Sequence, residues 1–151
     1  MKEIRKILCP IAGTEESSFV VESAVTLARK FEAKLTLLNV VPHSIVDFLK
    51  PFGSLVTEDV LPEKLESHLE QHSKDVLAKA KEQAGGLDVD LLTVIGHPGD
   101  VICYTADKED FDLIVVGNRT TSAVKRVILG SVSDYVVHHT RRPVYIARCG
   151  E

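Results

Sequence analysis

Residues 112–133 read DLIVVGNRTTSAVKRVILGSVS. The stretch opens on Asp112 and a solid apolar run, Leu113-Ile114-Val115-Val116, closed by Gly117. A strand that is apolar at successive positions has both faces covered, which is the habit of parallel sheets flanked by helices. A second glycine, Gly130, is followed at once by Ser131, and Val132, Tyr135 and Val136 then recur at helical spacing. Between the glycines lie Arg119, Lys125 and Arg126. A glycine after a buried strand lets backbone come close to a ligand. A helix N-terminus offers N–H groups and partial positive charge, which suits phosphate. With the Ser131 hydroxyl added, the stretch predicts a strand, a loop and a helix that together cradle a polyphosphate.

The same alternation extends in both directions. Ile4 to Ile11 reads as a first strand, and Gly13-Thr14-Glu15-Glu16 as a turn with Thr14 as N-cap. An amphipathic helix over 15–31 follows, with Phe19, Val20, Ala24, Leu27, Ala28 and Phe31 on one face. Lys34 to Val41 is the second strand, stopped by Pro42. Segment 42–60 is irregular but rich in large apolar residues, so a packed loop is expected there, covering either the sheet end or a site or partner surface. Pro62 suits the first turn of a helix carrying Leu65, Leu69, Val76, Ala80 and Ala84, ended by Gly85-Gly86. Val89 to Ile95 is the third strand, and Gly96-His97-Pro98-Gly99-Asp100 turns into a short helix over about 100–108. Asp112 to Gly117 is the fourth strand, and Arg141-Arg142-Pro143 leads into a last one, Val144 to Ala147.

The order β-α-β-α-β-α-β-α-β predicts an α/β fold, a parallel sheet with helices on both faces. Ligands of such sheets sit at the carboxyl ends of strands where the winding reverses. The 151 residues suggest one domain, 1–151. Aromatics are few and tryptophan is absent, so the core must be aliphatic. A net charge of −4 argues against general capture of nucleic acid or anionic membrane. Cys9, Cys103 and Cys149 are widely separated and odd in number, which fits free thiols and a cytoplasmic setting. The apolar run near the N-terminus is too short for a membrane span.

These segments resemble the universal stress protein family. The likeness is carried by KILCPI, LTLLNVV, Gly96-His97-Pro98, DLIVVG, LGSVSDYVV and RPVYIAR. It implies a three-layer Rossmann-like fold with a five-stranded parallel sheet in the order 3-2-1-4-5. It also implies ATP, with magnesium, as a ligand, and homodimers paired through the last strand, here Val144, Tyr145, Ile146 and Ala147. The family's nucleotide motif, Gly-x2-Gly-x9-Gly-Ser/Thr, falls on Gly117, Thr120, Gly130 and Ser131. The site residues so implied are Pro10, Ala12, Val40, Val116, Gly117, Arg119, Thr120, Gly130, Ser131, Val132 and Ser133.

Two positions depart from the binding pattern. Thr120 stands where binding members have glycine, and a β-branched residue forced to positive φ costs about 1–3 kcal/mol. Ala12 stands where they carry aspartate. Three readings follow: a stress-response module binding ATP or another adenine nucleotide, a homodimeric interaction protein without nucleotide and with a protein partner still to be identified, and a slow nucleotide hydrolase. No catalytic constellation is visible, so the chain reads as a non-enzyme. His68 and His72 share helical spacing without a third ligand, and His72 reads as a packed histidine, so no metal site is expected. His97 reads as a turn residue, His138-His139 as cations at a helix C-terminus, and Cys9 as buried and inert.

Overall fold

The computed structural model describes residues 2–13, 17–42, 62–119 and 128–148, without the side chains of 62–66, 119 and 128. The expectations placed on Thr14, Glu15, Glu16, segment 43–60, Leu65, Thr120, Lys125, Arg126 and Cys149 lie outside that description.

The elements run β1 (Lys6–Pro10), α1 (Ser17–Phe31), β2 (Lys34–Pro42), α2 (Pro62–Gln83), β3 (Val89–Gly96), α3 (Pro98–Lys108), β4 (Leu113–Arg119), β5 (Ile128–Leu129), α4 (Ser131–His139) and β6 (Val144–Ala147). Five strands are parallel, in the order β3-β2-β1-β4-β6. That is the expected 3-2-1-4-5 once the two-residue β5 is set aside. β5 was not foreseen. It pairs antiparallel with Asn118 and Arg119, which therefore continue β4 rather than starting a loop. α3 begins at Pro98, earlier than expected, because a proline at the first helical position gives up an N–H that would have no partner.

Each central strand serves two cores, which is why its apolar run is unbroken. Ile7 and Cys9 of β1 and Leu113 and Val115 of β4 face α1 and α2, meeting Val21, Ala24, Leu77 and Ala80. Leu8, Ile114 and Val116 face the other way, meeting Ile102 and Ala106 of α3 and Val136 of α4. Three layers result, with the sheet in the middle.

The amino ends of β1 and β4 are tied by one carboxylate. Asp112 Oδ2 accepts from the backbone N–H groups of Arg5 at 2.9 Å and Lys6 at 3.0 Å. Its other oxygen lies 3.4 Å from the Lys2 ammonium. Burial pushes the Asp112 carboxyl upward, but the two backbone donors and Lys2 outweigh it and hold the group below its ordinary value. The unfolded chain therefore binds this proton more readily than the native one, so the contribution is present above the unfolded pKa and fades as pH falls through the folded one. Asp112→Ala is expected to cost about 1–3 kcal/mol at pH 7. Urea unfolding should show that the gap between wild type and variant narrows toward pH 3; a gap independent of pH would remove the carboxylate from this account.

Candidate functional site

The carboxyl ends of the strands open into a cleft of about 890 Å³. That lies within the range of about 300–1,000 Å³ usual for small-molecule sites. Pro10, Ile11 and Ala12 line it from the end of β1, and Val116, Gly117 and Asn118 from β4. These adjacent strands lead to opposite sides of the sheet, so the cleft sits at the switch point. Asn39, Val40, Val41 and Pro42 continue the floor from β2, and α1, α2, α3 and α4 supply the walls.

The α4 wall is the most polar. Gly130 is the N-cap residue at φ −63° and ψ 162°, and no side chain among the described residues caps this helix. The first N–H groups of a helix have no partner inside it. Ser131 is exposed at that end and makes no side-chain hydrogen bond among the described residues. Ser133 differs. Its hydroxyl donates to the Gly117 carbonyl oxygen at 3.0 Å, tying the first turn of α4 to β4.

Asn39 supplies a second polar feature. It is 9% exposed, and its Nδ2 donates to the Ile11 carbonyl at 2.7 Å. That bond fixes which way the amide points, and no donor among the described residues reaches its Oδ1. Ile11, Val41, Leu69 and Val76 give this end of the cleft an apolar wall. No Asp, Glu, Lys or Arg stands among the described lining residues.

Nine of the expected site residues, Pro10, Ala12, Val40, Val116, Gly117, Gly130, Ser131, Val132 and Ser133, come together on this lining. Thr120 and the Arg119 side chain lie outside the described structure. Sequence reasoning missed Asn39, whose type within an apolar strand was the available signal, and His72. His72 is exposed and faces the cleft rather than packing in the core. Among the described residues no group of His, Cys, Asp or Glu is arranged to hold a metal ion.

Gly117 has a packing role that its place on the lining does not reveal. A Cβ built on it would lie 2.6 Å from Val20 Cγ2, so the glycine is also needed for the approach of α1. Gly99 serves in the same way at the other wall, where a Cβ would meet Tyr135 Cγ at 2.8 Å. Tyr135 in turn donates its hydroxyl to Asp100 and stacks on His139, with centroids 3.8 Å apart. His97 stands 3.5 Å from Asp100 at the head of α3, as a turn residue does. The His138 ring contacts Asp134 O at 2.8 Å and His139 contacts Tyr135 O at 2.7 Å, the carbonyl partners expected near a helix C-terminus. Burial pushes the Cys9 thiol up to about 12, which leaves almost no thiolate at neutral pH.

Architecture and cleft together define a doubly wound α/β protein with a ligand-sized opening at its switch point. The chain belongs to the universal stress protein family, whose model matches residues 3–148. It is 30% identical over 145 residues to universal stress protein YxiE of Bacillus subtilis (strain 168), covering 95% of this chain and 98% of that one. Universal stress protein UspA from Lactobacillus plantarum superposes with a TM-score of 0.76 at 25% identity, covering 98% of this chain and 100% of that one. A universal stress protein solved in complex with cAMP superposes with a TM-score of 0.67 at 22% identity, covering 97% and 98%.

The two glycines should separate in stability measurements. A Cβ on Gly130 would meet none of the described residues and its φ is an ordinary negative one, so Gly130→Ala should stay within about 0.5 kcal/mol of wild type. Gly117→Ala forces Val20 aside and should cost about 1–3 kcal/mol. Equal urea midpoints for both variants would contradict the assigned role of Gly117.

Proposed function

We propose that this protein is a stress-response regulatory module, a single domain over 1–151, that binds ATP or another adenine nucleotide in the cleft and is not an enzyme. The observation that carries the reading is the helix N-terminus at Gly130-Ser131, uncapped by any side chain among the described residues and opening into a ligand-sized cleft at the switch point. The cAMP complex of a relative with the same fold supports the choice of an adenine nucleotide.

In this reading the phosphates meet the N–H groups of the first turn of α4 and the Ser131 hydroxyl. The base lies toward Val40 and the apolar wall, where Asn39 Oδ1 can accept from an amino group. Magnesium fits less well. Among the described lining residues there is no carboxylate to hold it, so any ion would be held by phosphate oxygens and water.

A second reading rests on Ala12, which lines the cleft with a methyl group where the family resemblance implied an aspartate. It makes the protein a homodimeric interaction module without nucleotide. Calorimetric titration of ATP, with and without magnesium, decides between the two. The first predicts micromolar binding weakened about fivefold by Ser131→Ala. Absence of heat at several temperatures, with no thermal shift, selects the second.

Both readings include a homodimer through Val144, Tyr145, Ile146 and Ala147. β6 has β4 as its one partner among the described strands, and Tyr145 on it is 44% exposed. An open edge strand invites pairing with a second copy. Solution scattering should give twice the 16.6 kDa chain mass and a lower value for Tyr145→Glu. Monomer at every concentration would dispose of the dimer.

A further inference from the structure

We infer that Ser133 is a positioning residue for the cleft: its hydroxyl holds the first turn of α4 on the end of β4 and thereby sets where an anion can sit. The inference rests on the nucleotide reading above and deepens it.

A serine hydroxyl carries one hydrogen. Ser133 gives that hydrogen to Gly117 O at 3.0 Å, so it has none left for a ligand oxygen. Ser131, two residues earlier, has its hydroxyl uncommitted among the described residues. The two serines thus divide the work, one meeting the ligand and the other fixing the place where it is met.

The residue Ser133 grips is the one against which α1 is also set. Val20 fills the space where a Gly117 side chain would be, while Ser133 bonds the Gly117 carbonyl. The α1 wall, with Ser17 and Phe19, and the α4 wall, with Gly130 and Ser131, are therefore both registered on one residue. The separate hold on α4, from Tyr135 to Asp100, fastens it to α3 further along the helix. That contact fixes the helix against its neighbour. The Ser133 bond fixes its first turn against the sheet.

The test begins without nucleotide. Hydrogen exchange is followed at Asp134, whose N–H bonds Gly130 O at 2.9 Å, in wild type, Ser133→Ala and Ser133→Thr. ATP and adenosine are then titrated into the same proteins. Exchange in Ser133→Ala should rise several-fold, ATP affinity should fall about fivefold, adenosine affinity should hold, and Ser133→Thr should restore both lost properties. Weaker ATP binding with unchanged exchange in the free protein would make Ser133 a direct ligand and overturn the inference. Faster exchange with unchanged ATP affinity would overturn it from the other side. A wild type that binds neither ATP nor adenosine would sink the nucleotide reading and the inference with it. The exchange data, taken without ligand, would still report whether the serine holds the helix.

Discussion

Everything at the cleft depends on how close α1 comes to the end of β4. At Gly117 the helix sits where a side chain would otherwise be, with Val20 Cγ2 2.6 Å from the missing Cβ. The same residue pairs with Ala147 of β6 and accepts the Ser133 hydroxyl. Sheet edge, front helix and the helix that opens the cleft are thus joined through one backbone position. Steric room at a single Cα sets the spacing of two walls, and interiors packed at crystal density leave little slack for either to drift.

The opposite end of the sheet is held by other means. Asp112 binds the first strand to the fourth through two backbone donors, and Arg142 reaches Asp107 Oδ1 at 3.0 Å and the Phe111 carbonyl at 3.2 Å. These polar ties secure the amino ends of the strands, far along β4 from the cleft. The carboxyl ends are then free to diverge at the switch point, where β1 and β4 send their connections to opposite faces. A ligand opening there requires no hole in the core.

Much of this was legible in the sequence because its causes are local or periodic. Unbroken runs such as Leu113 to Val116 announce strands covered on both faces, and the order of elements with a right-handed crossover leaves few topologies. Gly117 and Ser131 were joined by the strand–loop–helix pattern and the switch-point rule, but Ala12 and Val40 were added only through resemblance, since no local rule names single residues so far apart in the chain. What stayed hidden was long-range. The pairing of Asn118 with Leu129 depends on register between two separate segments of the chain. The exposure of His72 depends on how α2 is rotated over the sheet, which a short apolar face leaves loose. The reason for Gly117 lay in Val20, a residue almost a hundred positions earlier. Asn39 reads as an interruption of LTLLNVV until the Ile11 carbonyl is seen beside it.

The cleft's chemistry also bears on how an anion could be held by a chain of net charge −4. Such a protein gives little attraction at long range, and at physiological salt charges are screened beyond about 8 Å. No charged side chain stands among the described lining residues. Any stabilisation offered by these groups must then come from short, directed bonds to backbone N–H and hydroxyl groups, whose strength falls steeply with misalignment. Donors of that kind are only as good as the element that aims them. A salt bridge tolerates displacement of its partner, whereas a helix terminus shifted by an ångström offers its N–H groups to the wrong place. That is why the groups which anchor α4, and not only those which face the cleft, decide what this site can bind.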